Sequence, residues 1–87
     1  MKTAFSETGW ADYLYLLEKD RKSLKRTNEL IKDLSRNSFE GIGKPEPLKG
    51  NLTGYWSRRI SDKDRLIYTV SGDTIYIIQC GRHYSDK

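Results

Sequence analysis

The chain has 87 residues, 36% of them hydrophobic, and 16 Lys and Arg against 12 Asp and Glu give a formal net charge of +4. That length allows one small domain, residues 1–87, whose core stabilises it only marginally, and the positive balance suits a phosphate-rich ligand or an acidic protein partner. The single cysteine, Cys80, excludes an intramolecular disulfide and a cysteine-based zinc site, and no apolar run approaches the roughly 20 residues of a membrane span.

Residues 2–5 suit a short first strand. Ser6 is placed to cap a helix in which Glu7 adds negative charge to the first turn. Trp10, Tyr13, Leu14 and Leu17 follow at i, i+3, i+4 and i+7, an amphipathic pattern that ends near Lys19. Asp20 can cap a second helix, with Leu24, Thr27, Leu30, Ile31 and Leu34 on one face and an end near Asn37. Its other faces carry Lys22, Lys25, Arg26, Lys32 and Arg36, either a solvated surface or one that tracks phosphates.

Residues 38–50 hold three glycines and both prolines and read as a loop. Residues 52–60 read as a strand, and 65–70 and 74–80 as two more joined by a turn at Ser71-Gly72-Asp73. The expected class is therefore α+β: two N-terminal helices on a small, mainly antiparallel sheet made of the short first strand and a three-stranded meander. Alternation puts Trp56 and Ile60 on one face of their strand and Arg59 on the other, and likewise separates Leu66, Tyr68 and Val70 from Arg65. A register pairing Arg59 with Arg65 would bring two like charges together on the face away from the helices. Such a pair is destabilising unless an anion sits between them.

The chemistry-bearing residues lie mostly between Phe39 and Arg65. Glu46 stands between Pro45 and Pro47, which stiffen its backbone and restrict it to an extended conformation. Lys44 and Lys49 flank it as point charges for phosphate, and Arg59 and Arg65 supply guanidinium groups. His83, the one histidine, closes the set. A carboxylate to take a proton from a ribose 2′-OH, a histidine to protonate the leaving 5′-oxygen and guanidinium groups to hold the phosphate are the parts of acid–base RNA cleavage. Tyr55, Trp56 and Tyr84 offer stacking surfaces for bases, whereas Trp10, Tyr13 and Tyr68 are expected in the core. Gly41-Ile42-Gly43-Lys44-Pro45 is no phosphate loop, because Pro45 stands where Ser or Thr is needed. One histidine without a suitably spaced acidic cluster makes a transition-metal site a poor fit.

Trp10-Ala11-Asp12-Tyr13, Asn28-Glu29-Leu30-Ile31-Lys32-Asp33, the run from Phe39 to Leu48, Tyr55-Trp56-Ser57-Arg58-Arg59-Ile60, Arg65-Leu66-Ile67-Tyr68 and Arg82-His83-Tyr84 occur in this order. Across essentially the whole chain they resemble the YoeB toxins of the YoeB–YefM (Axe–Txe) type II toxin–antitoxin modules, in the RelE/ParE superfamily. The resemblance implies a RelE-like fold and an endoribonuclease, an mRNA interferase that cuts mRNA in the ribosomal A site and stops translation. No cofactor is expected, and without a signal peptide's apolar region the cytoplasm is the expected location. It also implies Glu46 as general base, His83 as general acid, Arg65 at the scissile phosphate and Tyr84 as a further catalytic residue. Lys44, Lys49, Arg59 and Tyr55 fall at positions that would bind RNA or ribosome. The implied partners are a YefM-like antitoxin, operator DNA through the antitoxin complex, and a second copy in a homodimer. Family members commonly stop at or just after the His-Tyr pair, whereas Ser85-Asp86-Lys87 follows here, an extension expected to be mobile in the free protein. ParE-like relatives share the fold yet poison gyrase without being nucleases. What sets this chain apart from them is the Glu46, Arg65 and His83 set. A binding module without catalysis is the third reading.

Overall fold

The computed structural model describes residues 1–81. The chain runs β1 (Lys2–Phe5), α1 (Glu7–Lys19), α2 (Arg21–Arg36), β2 (Glu46–Pro47), a 3-10 turn (Gly50–Leu52), β3 (Trp56–Arg59), β4 (Arg65–Ser71) and β5 (Thr74–Cys80). The strands form one five-stranded sheet in the order β1-β5-β4-β3-β2. β1 lies parallel to β5, and the other neighbours are antiparallel. The α+β class, both helices, the first strand and the meander agree with the sequence reading. The fifth strand, β2, lies inside the segment read as loop. It takes an edge position, where Pro47 leaves no ladder bond missing from the sheet interior.

Both helix starts are capped as their sequences suggest. The Ser6 hydroxyl accepts from Gly9 N–H at 2.9 Å, and Asp20 accepts from Ser23 N–H at 3.1 Å. Asp20 also ends α1, donating its own N–H to the Leu16 carbonyl at 2.9 Å, so one residue joins the two helices. The strand expected from Leu52 begins only at Trp56. The 3-10 turn and Gly54, at φ 99°, form the tip of a β2–β3 hairpin that Leu48 N–H closes onto the Tyr55 carbonyl at 2.9 Å.

The core is built from Leu16, Leu30, Leu34, Ile60, Leu66, Tyr68, Ile75, Ile77 and Cys80, between the helices and one face of the sheet. α2 buries Thr27, Leu30 and Leu34, as its periodicity predicts. α1 does not. It buries Gly9, Asp12 and Leu16, while Trp10, Leu14 and Leu17 remain 49%, 40% and 39% exposed. The cause is a close approach: a Cβ on Gly9 would collide with the Ile77 carbonyl oxygen. The helix therefore presents its narrowest side to β5, where Asp12 accepts from Cys80 N–H at 3.1 Å. Trp10, expected inside, instead stacks on Tyr13 at 5.8 Å between ring centroids.

Candidate active site

The site is set by strand register. Glu46 pairs with Ser57, and Ser57 with Ile67. One step along each face lies the pair Arg59 opposite Arg65. Between these rows Arg58 pairs with Leu66, and both are buried on the helix side of the sheet. Since successive residues alternate faces, Glu46, Ser57, Ile67, Arg59 and Arg65 share the opposite face. The predicted pairing of the two arginines is the one observed.

That face has a dry floor. Ile67 is 1% and Ser57 4% exposed, although Ile67 stands outside the helix-side core cluster. Glu46 and Arg59 are exposed at its edge and Arg65 is half-buried. The Nη1 of Arg65 is a buried donor with no hydrogen-bond partner among the described residues. A guanidinium nitrogen in that condition is costly unless an acceptor reaches it, and the facing Arg59 can only donate. Two cations directly opposite each other, one with an unfilled donor, are a disfavoured pair that a bound anion would relieve.

The remaining expected site residues frame this face. Lys44 is exposed, with φ 51°, two residues before Glu46. Lys49 is exposed at the start of the hairpin tip, and Tyr55 is half-buried immediately before β3. Trp56 does not belong to the site: it pairs with Tyr68 on the helix side and lies 4.8 Å from the Phe39 ring. His83 and Tyr84, with Arg82 and the extension Ser85-Asp86-Lys87, lie outside the described residues. The described chain ends next to the site, because Gly81 N–H donates to the Arg65 carbonyl at 3.3 Å.

Arg58 has a different place. It is fully buried and bonded to Asp33 of α2 at 2.7 Å. The guanidinium first, and then the Ile42 N–H, hold the Asp33 carboxyl below the usual carboxylate range. Burial raises the Tyr68 hydroxyl, which accepts from Arg58 Nε at 3.2 Å. The sequence signal for Arg58 is its parity. It sits between Trp56 and Ile60 on the inward face of β3, where a charge must find partners or unfold the strand.

The chain matches the family model described as YoeB-like toxin of bacterial type II toxin–antitoxin system over residues 5–84. It is 56% identical over 84 residues to the toxin YoeB of Synechocystis, covering 97% of this chain and 98% of that one. The chain belongs to the YoeB toxin family. Among solved structures, this YoeB-family chain superimposes on a YoeB/ParE toxin from Agrobacterium tumefaciens with a TM-score of 0.92 at 43% identity, over 97% of this chain and 100% of that one. The YoeB dimer from Staphylococcus aureus gives a TM-score of 0.89 at 49% identity, with coverage of 97% and 98%. The same values hold for its heterotetrameric YoeB–YefM toxin–antitoxin complex. As a YoeB-family toxin, the chain contains no helix, among the described residues, long and apolar enough to cross a membrane.

Proposed function

We propose that this chain is a ribosome-dependent endoribonuclease that cleaves mRNA in the A site of the translating ribosome, in the cytosol. The observation that carries the reading is the common face of Glu46, Arg59 and Arg65, in which a buried Arg65 donor lacks a partner among the described residues. In the proposed reaction the Glu46 carboxylate takes the proton of a ribose 2′-OH. The 2′-oxygen attacks the adjacent phosphorus, and the bond to the 5′-oxygen of the next nucleotide breaks. The products are a 2′,3′-cyclic phosphate and a 5′-OH.

Negative charge on the non-bridging oxygens is greatest in the transition state. In the proposed site Arg65, with Arg59 beside it, meets charge of that kind next to the buried Ile67, where fixed donors act more strongly than in water. His83 is the proposed acid that protonates the leaving 5′-oxygen, tethered two residues beyond Gly81, and Tyr84 is its proposed neighbour at the reacting nucleotide. Lys44, Lys49 and Tyr55 hold mRNA or ribosomal RNA by charge and by stacking. A YefM-like antitoxin is the proposed restraint, with operator DNA bound only through that complex, and a homodimer is the proposed free form. The solved Staphylococcus aureus relatives, a YoeB dimer and a YoeB–YefM complex, support both partners.

The test adds purified protein to a translating system and maps mRNA 5′ ends, with free ribosomes and naked RNA as controls. New ends at A-site codons are expected only with translating ribosomes. Folded Glu46→Gln should lose about 10²–10⁴-fold in cleavage rate, the usual worth of a general base. Undiminished cleavage by that variant would overturn the mechanism. Intact mRNA with inhibited gyrase would assign the chain the ParE-like activity instead.

A further inference from the structure

Arg58 is absent from the proposed chemistry, yet among the described residues it is the largest fully buried side chain. A guanidinium has five N–H donors, and here every nitrogen is engaged. Nε donates to the Tyr68 hydroxyl at 3.2 Å. Nη1 donates to Asp33 Oδ2 at 2.7 Å and to the Ile42 carbonyl at 3.2 Å. Nη2 donates to the carbonyls of Asn37 and Glu40 at 2.7 and 2.8 Å.

Neutralising a buried cation needs only Asp33. The other bonds satisfy the remaining buried donors, and three of them end on backbone carbonyls of the segment that leads from α2 towards Glu46. Tyr68 extends the set, its hydroxyl donating to the Ser38 carbonyl at 2.9 Å. Asp33 completes it by accepting from Ile42 N–H at 3.1 Å. The segment is shaped for this enclosure. Gly41, at φ 122°, lies so close that a Cβ there would collide with Asp33 Oδ2, and a Cβ on Gly43 would come within 2.6 Å of Leu30 Cδ2. The next backbone atom along is held by β3 itself, where Arg59 N–H donates to the Gly43 carbonyl at 2.7 Å. Only Lys44 and Pro45 then separate this anchored stretch from Glu46, one in a left-handed conformation and the other a proline. Little freedom remains between the last clamped carbonyl and the carboxylate.

We propose that Arg58 is a positioning residue for Glu46, a buried strut that ties residues 37–43 to β3 and β4 and so holds the carboxylate on the same face as Arg59 and Arg65. The inference rests on the reading of Glu46 as general base. Neighbouring residues of one short strand divide the work: Arg58 turns inward to fix the loop that carries the base, and Arg59 turns outward to the anion.

The test uses single-turnover cleavage of mRNA on programmed ribosomes at saturating toxin, at a temperature where each variant is folded by circular dichroism. Arg58→Lys keeps the charge and loses the planar fork. Tyr68→Phe removes only the hydroxyl between Arg58 and Ser38, and it decides the question should Arg58→Lys fail to fold. A misplaced base should lower the saturated rate by about tenfold to a hundredfold while the affinity for ribosomes stays within about twofold of wild type. In a Glu46→Gln background the same substitutions should change the rate by no more than about twofold, since there is no base left to misplace. Equal losses in both backgrounds, or a loss confined to ribosome affinity, would reduce Arg58 to a fold-stabilising residue and overturn the proposal. A Glu46→Gln protein that cleaves at the wild-type rate would instead remove the base assignment on which the proposal depends.

Discussion

Replacing Arg59 by Gln should make the free protein more stable and the toxin weaker. Arg59 and Arg65 are directly paired across β3 and β4 on one face. Two unit charges taken at about 7 Å repel by roughly 0.6 kcal/mol at a water-like dielectric and roughly 2.4 kcal/mol at an effective value of 20. Arg59 is exposed, so the lower end governs, in line with the few tenths to about 1 kcal/mol found for cross-strand pairs. Gln keeps most of the side chain's length and its hydrogen-bonding capacity and removes the charge. The expected gain is about 0.5–1 kcal/mol, or about 2–8 °C in Tm for a domain of this size at low salt. The assay is thermal unfolding followed by circular dichroism at about 10 mM and about 1 M salt, where the Debye length falls from about 30 Å to about 3 Å. The gain should vanish at the higher concentration, while ribosome-dependent cleavage by the same variant falls at both. A variant less stable than wild type at low salt, or a gain unchanged at 1 M, would refute the claim that the two arginines are held against their mutual repulsion.

Two further outcomes follow from perturbed groups elsewhere in the fold. Asp33 has its carboxyl lowered from 3.8, first by the Arg58 hydrogen bond, so its stabilising contribution is complete above that ordinary value and is lost as pH falls through the folded one. Thermal scans between about pH 2 and 6 should show a steeper acid-side loss in wild type than in Asp33→Asn, and identical acid limbs would contradict the linkage. The Cys80 thiol is pushed up to about 12 by burial and then by the Asp12 carboxylate. Native protein at about pH 8 should therefore resist thiol reagents and release its one equivalent only in denaturant, because the thiolate is the reacting form. Rapid modification of the native chain would show that the β5 end opens readily.

The sequence determined a good deal by itself. Caps, apolar periodicity and turn residues are local signals, and Ser6, Asp20 and the Leu30–Leu34 face of α2 carry them without help from distant residues. Alternation along β3 and β4 separated Arg59 and Arg65 from their apolar neighbours, and the register of the folded sheet then set the two opposite each other. The prolines around Glu46 announced a stiff backbone, though not the two-residue strand that Pro47 shares with it, since an edge pairing exists only once β3 lies beside it.

Only the tertiary structure decided the rest. The Trp10–Leu14–Leu17 stripe looked like the core face of α1, and Gly9 overruled it by letting the helix backbone approach Ile77 more closely than any side chain allows. Arg58 and Arg59 are chemically identical neighbours in the sequence, but one is sealed among Asp33, Tyr68 and three carbonyls and the other stands in solvent opposite Arg65. Parity can say which of them turns inward. Whether an inward guanidinium finds acceptors for all its donors depends on residues some 10 to 25 positions away, and that is a property of the packed molecule.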